Sequence, residues 1–157
     1  MNATSILFFA FGIGVVAGLR ALTAPAAVAW GTHLGWLHLV ASPVAFMAST
    51  WALVLFSALA IVELVADLLP KTPNRTALGP LLARLISGGI CGACVCASAN
   101  QSPLVGIALG GIGAVIGAFG GYELRKRLVA GLGVKDIFIA LPEDVIAISL
   151  ALFIVSR

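Results

Sequence analysis

The sequence predicts an all-α polytopic membrane protein, a single transmembrane domain over residues 1–157 with five membrane-spanning helices, and three observations carry that expectation. Apolar residues make up 61% of the chain and charged residues 10%, against about 45–50% and about 25% in soluble domains. Mean hydropathy is +1.15, and stretches long enough to cross about 30 Å of hydrocarbon recur along the chain. The 18 glycines suit helices that pack closely in lipid. This balance excludes a soluble globular enzyme, a disordered tail and a nucleic-acid module. The net charge of +3 is read as a topology signal rather than as a surface for a polyanion.

Helix one is expected over Ser5 to Trp30, with Arg20 as its one charge. Helix two starts at Val44, is uncharged to Val62, and continues through Glu63 and Asp67 to Leu69. From Leu85 to Tyr122 no residue is charged, and as one helix that run would reach about 57 Å, so it must fold back. The turn falls at Asn100-Gln101-Ser102-Pro103, a polar cluster ending in a helix stopper. Helix three is then about Gly79 to Ala99, with Arg84 in its first turns, and helix four about Pro103 to Leu124. Helix five runs from about Ile139 to Val155, with Glu143 and Asp144 near its start after Pro142.

Five spans put the two ends of the chain on opposite faces. With the N-terminus inside, Lys71, Arg75, Arg84, Arg125, Lys126, Arg127 and Lys135 all fall inside and only Arg157 outside, setting aside mid-span Arg20. The positive-inside rule selects this orientation. Trp30, His33, Trp36 and His38 then occupy the outer loop, with Trp51 a few turns into helix two, as indoles near headgroups do. The first five residues carry no basic side chain, which argues against a cleaved signal peptide ending near Ala24-Pro25-Ala26-Ala27. The sequons at Asn2, Asn74 and Asn100 are read as chance matches.

Gly12-Ile13-Gly14-Val15-Val16-Ala17-Gly18 in helix one and Gly111-Ile112-Gly113-Ala114-Val115-Ile116-Gly117 in helix four agree at five of seven positions. Helices one and two and helices four and five around a lone helix three would make an inverted repeat of the kind found in secondary transporters. Chance recurrence of glycine and β-branched residues in membrane helices is the competing explanation. Gly14 and Gly18, Gly106 and Gly110, and Gly113, Gly117 and Gly121 stand four apart, on one face of their helices. Helix four is therefore either central in the bundle or the seam of a homodimer.

A charge in lipid costs from about 2.5 kcal/mol upward unless paired or hydrated, so such residues are functional candidates by default. Arg20, Glu63, Asp67, Arg84, Glu143 and Asp144 converge on the inner half of the membrane in this layout. One reading is a polar vestibule for an ion or small polar solute, with Arg20 turned toward helix two and contacting Glu63. The other is that all but Arg20 snorkel to the headgroups as interfacial pairs. The loop Pro70 to Thr76 and the Arg125-Lys126-Arg127 run are read as topology signals and contacts for membrane lipids.

Cys91-Gly92-Ala93-Cys94, with Cys96 nearby, has the spacing of a redox or metal pair. On an apolar helix lacking other ligands these cysteines read as small apolar residues. His33 and His38 sit among interfacial tryptophans and are likewise not taken as ligands. No metal site and no cofactor is expected. No Ser-His-Asp set, Gly-Lys-Ser phosphate loop or HExxH pattern occurs, so no enzyme class is suggested.

Gly18-Leu19-Arg20, Glu63-Leu64-Val65-Ala66-Asp67-Leu68-Leu69-Pro70, Arg84 with Gly88-Gly89, and Glu143-Asp144 resemble a family of small bacterial membrane proteins, the domain-of-unknown-function family 4126. Where that family's pattern has a Lys after the Asp and a Pro after the Arg, Leu68 and Leu85 stand here. The resemblance covers nearly the whole chain and implies a bacterial cytoplasmic membrane, but no activity. The expected function is a small transporter or channel for an ion or polar solute. A non-transporting scaffold or lipid-interacting subunit is the alternative, and an enzyme acting on inner-leaflet headgroups a third. A dry, packed Arg20 and Glu63 would favour the scaffold, and a connected polar cavity the transporter.

Overall fold

A computed structural model describes residues 2–39, 42–66, 77–133 and 137–157. Among the described residues there are six α-helices and no strand: α1 (Ala3–Leu19), α2 (Thr23–His33), α3 (Thr50–Ala66), α4 (Leu78–Ser98), α5 (Pro103–Leu132) and α6 (Ile137–Val155), with a 3-10 turn at Ala45–Ala48 before α3. Three helices are long and apolar enough to cross a membrane: α4, α5, and α6 from Phe138. α1 and α3 are apolar but shorter.

The expected helix one is two helices. Arg20 has extended backbone, φ −140° and ψ 109°, and ends α1. Pro25 falls in the first turn of α2, where its missing N–H would have no helical partner in any case. α2 does not continue α1 but turns back beside it. Ile6 and Phe9 of α1 border the same cleft as Leu37 and His38, which follow α2. A Cβ on Gly31 would press on Val155 and Leu37. α1 and α2 are thus a helical hairpin with its tip at Arg20-Ala21-Leu22.

From there the helices alternate in direction. α3 climbs from Ser57, whose hydroxyl accepts from the Trp30 indole at 3.1 Å, to Glu63 at the tip. α4 comes back from Arg84 to Ser98, whose Oγ accepts the His38 N–H at 3.0 Å. α6 brings Asp144 to the tip and packs Phe153 edge-on against Phe9, centroids 6.3 Å apart. Ile6, Asn100 and Arg157 consequently meet around one cleft. The five-span layout, which separated the two ends of the chain across the membrane, is corrected here. The additional reversal at Arg20 brings the start of α1 and the end of α6 to the same end of the bundle.

α5 is the spine. A Cβ on Gly14 would collide with the Gly110 carbonyl, on Gly18 with that of Ala114, on Gly113 with that of Phe11, and on Gly117 with that of Val15. On the other flank, a Cβ on Gly92 would strike the Gly106 carbonyl and one on Gly110 the Gly88 carbonyl. Gly121, further along α5, is buried. These glycines let α5 lie backbone to backbone with both α1 and α4, so the glycine face is consumed within one chain. The two matching heptapeptides pack on each other, and they run in the same direction, since Gly14 meets Gly110 and Gly18 meets Gly117. An inverted repeat requires this pair to run in opposite directions, and the hairpin reversal removes that relation. α5 also outruns its expected end at Leu124, continuing to Leu132, where Gly133 caps it at φ 62°. The Arg127–Glu123 pair, 2.8 Å and one turn apart, supports that extension.

Gly117→Leu should cost about 3 kcal/mol, the upper end of what overpacking usually costs, because the obstacle is the Val15 backbone rather than a side chain that can move. Val115→Leu on the exposed face of α5 should leave stability almost unchanged. Thermal unfolding of both variants in detergent checks this, and equal melting temperatures would contradict the packing described.

Candidate functional site

The hairpin tip is non-helical backbone within a bundle of apolar helices. Lipid cannot satisfy such backbone, so it is tolerated only where protein does. The last helical bond of α1 is Arg20 N–H to the Val16 carbonyl, 2.8 Å. The next two N–H groups, of Ala21 and Leu22, donate to the two oxygens of the Glu63 carboxylate at 2.7 and 2.9 Å. The Ala21 carbonyl accepts the Ser87 hydroxyl. Glu63 is therefore a cap supplied by another helix, doing from α3 what a local Ser or Asp would do at an ordinary helix start. Its negative charge also sits at the positive end of α2. Ser87 lies roughly 14 Å from the beginning of α4, which places the tip well inside that helix's length.

Charges surround the tip. Arg20 is 1% exposed and its Nη2 forms an ion pair with Asp144, itself 6% exposed. Arg20 Nη1 lies 3.5 Å from the Glu63 backbone carbonyl. Arg84 is 6% exposed, and with Arg20 it acts electrostatically on the Glu63 carboxylate. At the rim, Arg125 of α5 pairs with Glu143 at 3.6 Å. Among the described residues, three cations thus face three carboxylates.

Of the residues singled out in the sequence, Arg20, Glu63, Arg84 and Asp144 are brought together. Glu143 stands one position round from Asp144 and faces Arg125 instead. Asp67 lies outside the described residues, as do Lys71, Arg75 and Lys135. Arg20 had been expected in mid-span with Glu63 as its partner. The reversal instead places it level with both acids: its ion pair is with Asp144, the Glu63 backbone carbonyl lies 3.5 Å from Nη1, and the Glu63 carboxylate feels its charge without a direct pair. Sequence reasoning missed Ser87, which follows Arg84 by three residues and so shares its face. It also missed the role of two backbone N–H groups, which leave no mark on a sequence. Cys91, Cys94 and Cys96 are buried in the apolar core as free thiols. No group of three or more metal-ligating side chains occurs among the described residues.

At the opposite end, a cleft of about 320 Å³ opens between α1, α4 and α6. Its wall combines Phe9, Trp36 and Ile154 with Ser98, Asn100 and Arg157. The Arg157 guanidinium lies over the Phe153 ring, 4.7 Å from its centre.

The model of one family, described as Domain of unknown function (DUF4126), matches residues 7–156. No curated protein and no solved structure matches the chain.

Arg20→Ala should destabilise the protein by about 3–5 kcal/mol, the usual cost of leaving one member of a buried pair uncompensated. Adding Asp144→Asn should recover more of that loss than adding Glu63→Gln, because Asp144 is the carboxylate that Arg20 neutralises. Glu63→Ala should cost about 2–6 kcal/mol, from two buried N–H groups at about 1–3 kcal/mol each. Melting of the variants in detergent decides both statements, and a better rescue by Glu63→Gln would reverse the assignment of partners.

Proposed function

The chain belongs to the DUF4126 family, whose description assigns no activity, and we propose that it is a small, non-catalytic membrane transporter or channel whose polar site is the hairpin tip, passing an ion or small polar solute. The observation that carries this is a backbone break beside a buried Arg20–Asp144 pair in an otherwise apolar bundle. A buried ion pair is often no more stabilising than packed apolar residues of similar volume, so stability alone is a weak reason for this one. Charges at membrane depth mark ion and solute paths, and broken helices build the sites of many transporters. The non-transporting scaffold reading draws on the packing of the tip: Arg20 is fully buried against Asp144, the described cleft lies at the opposite end, and every polar atom of the Ala21 and Leu22 turn named above has a partner inside the chain.

In this proposal α4, α5 and α6 span the bilayer and α3 crosses beside them, while α1 and α2 enter from one face and reverse before reaching the other. The end that carries Arg84, Arg125, Lys126 and Arg127 is cytoplasmic, and residues 67–76, joining α3 to α4, add Lys71 and Arg75 to the count. The start of α1 and Arg157 are then both outside. The compartment is the bacterial cytoplasmic membrane, with lipid covering the outer faces of α3, α5 and α6. A homodimer would use one of those faces, such as that of α6, where Leu141, Val145 and Ile148 are exposed.

Reporter fusions should read outside before Ala3, inside after Lys126 and outside after Arg157. Flux of small anions and cations in proteoliposomes tests transport. The double variant Arg20→Ala with Asp144→Asn, if it melts near the wild type, should lose flux at least tenfold. Unchanged flux, or no flux of any solute in the wild type, would leave the scaffold reading.

A further inference from the structure

The cleft at the end opposite the tip has a wall of mixed chemistry. Ile6, Phe9 and Ile154 supply apolar surface, and Ser98, Asn100 and Arg157 supply polar groups. Each polar group is set in place by a contact of its own. The Arg157 guanidinium lies over the Phe153 ring at 4.7 Å, and that ring rests edge-on against Phe9, itself part of the wall. Ser98 Oγ accepts the His38 N–H at 3.0 Å, which leaves its hydroxyl hydrogen to donate elsewhere. Asn100 has left-handed backbone, φ 56°, in the turn that ends α4. Its N–H donates to the Ala97 carbonyl at 3.1 Å, and the Gln101 N–H donates to the Cys96 carbonyl at 2.8 Å. Such a turn ordinarily takes glycine. Asparagine there brings a side-chain amide to the cleft at a position where glycine suits the backbone better.

The charge of the wall is positive, and among the described residues no acid borders the cleft. Of the six acids of the chain, Glu63, Glu143 and Asp144 belong to the tip and Glu123 pairs with Arg127. Asp67 follows Ala66, where the described α3 ends, and Asp136 precedes Ile137, where α6 begins. Ile154 stands about 27 Å further along that sequence at helical rise. The carbonyl ends of α4 and α6 point toward the cleft end and by themselves favour a cation. They are covered, on α4 by the Asn100 and Gln101 N–H groups and on α6 by those of Ser156 and Arg157. The full charge of the guanidinium outweighs the partial charges that remain.

The cleft also lies where a lipid head lies. Trp30, Trp36 and Trp51 are exposed at this end, and indoles gather at headgroup level. Phe8 is exposed and its ring centre is 6.2 Å from that of Phe9, so an apolar track leads out of the cleft along α1. At about 320 Å³ the cleft falls at the small end of ligand sites, about 300–1,000 Å³. That suits a headgroup with its chains lying outside.

We propose that this cleft binds one membrane phospholipid with a singly charged phosphodiester head, the phosphate held by Arg157, Asn100 and Ser98 and the acyl chains lying over Phe9 and Phe8. Arginine meets two phosphate oxygens at once, and the tetrahedral group turns its other oxygens toward the amide and the hydroxyl. Among the described residues the wall offers no carboxylate to a choline or ethanolamine ammonium, so phosphatidylglycerol is preferred to phosphatidylcholine. The site is independent of whether the tip conducts.

The test adds equal amounts of these two lipids to the wild-type chain in detergent and counts the lipids retained by native mass spectrometry. One phosphatidylglycerol should remain per chain, at least about fivefold more often than phosphatidylcholine. Arg157→Gln should abolish the preference without lowering the melting temperature, since Arg157 is exposed. Asn100→Gly should weaken it severalfold while the melting temperature stays level or rises, because glycine relieves the left-handed backbone. Lys126→Gln, at the tip end, should leave it unchanged. Equal retention of the two lipids overturns the proposal, as does a preference that survives Arg157→Gln or is removed by Lys126→Gln. Millimolar glycerol phosphate should not displace the lipid, and displacement would make a soluble phosphate ester the occupant instead.

Discussion

The structure depends on one constraint: a peptide chain that reverses direction among apolar helices must find its hydrogen bonds inside the protein. Between Leu19 and Thr23 the chain leaves helical geometry, and the exposed backbone groups cannot turn to water. Glu63 comes from α3 and Ser87 from α4 to serve them. Placing a carboxylate there creates a charge that must itself be balanced, and Arg20 and Arg84 stand within its field. Arg20 in turn requires Asp144. Satisfying one turn thus recruits polar residues from α3, α4 and α6, and the hairpin is tied to all three.

The second requirement is closeness. The cluster can form only if α1, α4 and α6 approach the tip together, and α1 and α4 are held there by α5 through carbonyl-to-glycine contacts. Even a methyl group at Gly14, Gly110 or Gly117 would push backbones apart. In lipid no hydrophobic force drives helices together, so dispersion across such flat glycine faces is a main source of cohesion. Glycines and charges are therefore two parts of one arrangement. The glycines set the distance between helices, and the charges then meet at hydrogen-bonding range.

Much of this was legible in the sequence. The 61% apolar composition and uncharged runs announced membrane-like helices, and the polar Asn100 to Pro103 turn separated α4 from α5 where the structure does. The glycine spacing marked α5 as either central or a dimer seam, and its glycines pack against α1 and α4 of the same chain. The four converging charges Arg20, Glu63, Arg84 and Asp144 were each conspicuous as ionised groups in apolar surroundings. The reversal at Arg20 was not legible, because a hairpin and a continuous span share the same apolar content. Pro25 fits the first turn of a new helix as well as a kink in a long one. Every error of direction followed from that ambiguity, including the placement of the chain's ends and the antiparallel relation expected between the two heptapeptides. The 1.5 Å rise per residue had set Arg20 far from Glu63 along an upright helix, and folding the helix back removed the gap.

The balance of charge around the tip bears on how the site could open. Among the described residues, Arg20, Arg84 and Arg125 face Glu63, Asp144 and Glu143. Asp144 is held by direct pairing with Arg20, and Glu143 by Arg125. Glu63 is held mainly by backbone N–H groups, with the arginines acting on it from further away. Moving Glu63 away would therefore leave two buried donors unsatisfied. A cation at the same place would face two inward N–H dipoles. The geometry that stabilises the hairpin thus requires a hydrogen-bond acceptor at the Ala21 and Leu22 N–H groups, and Glu63 supplies both oxygens for it.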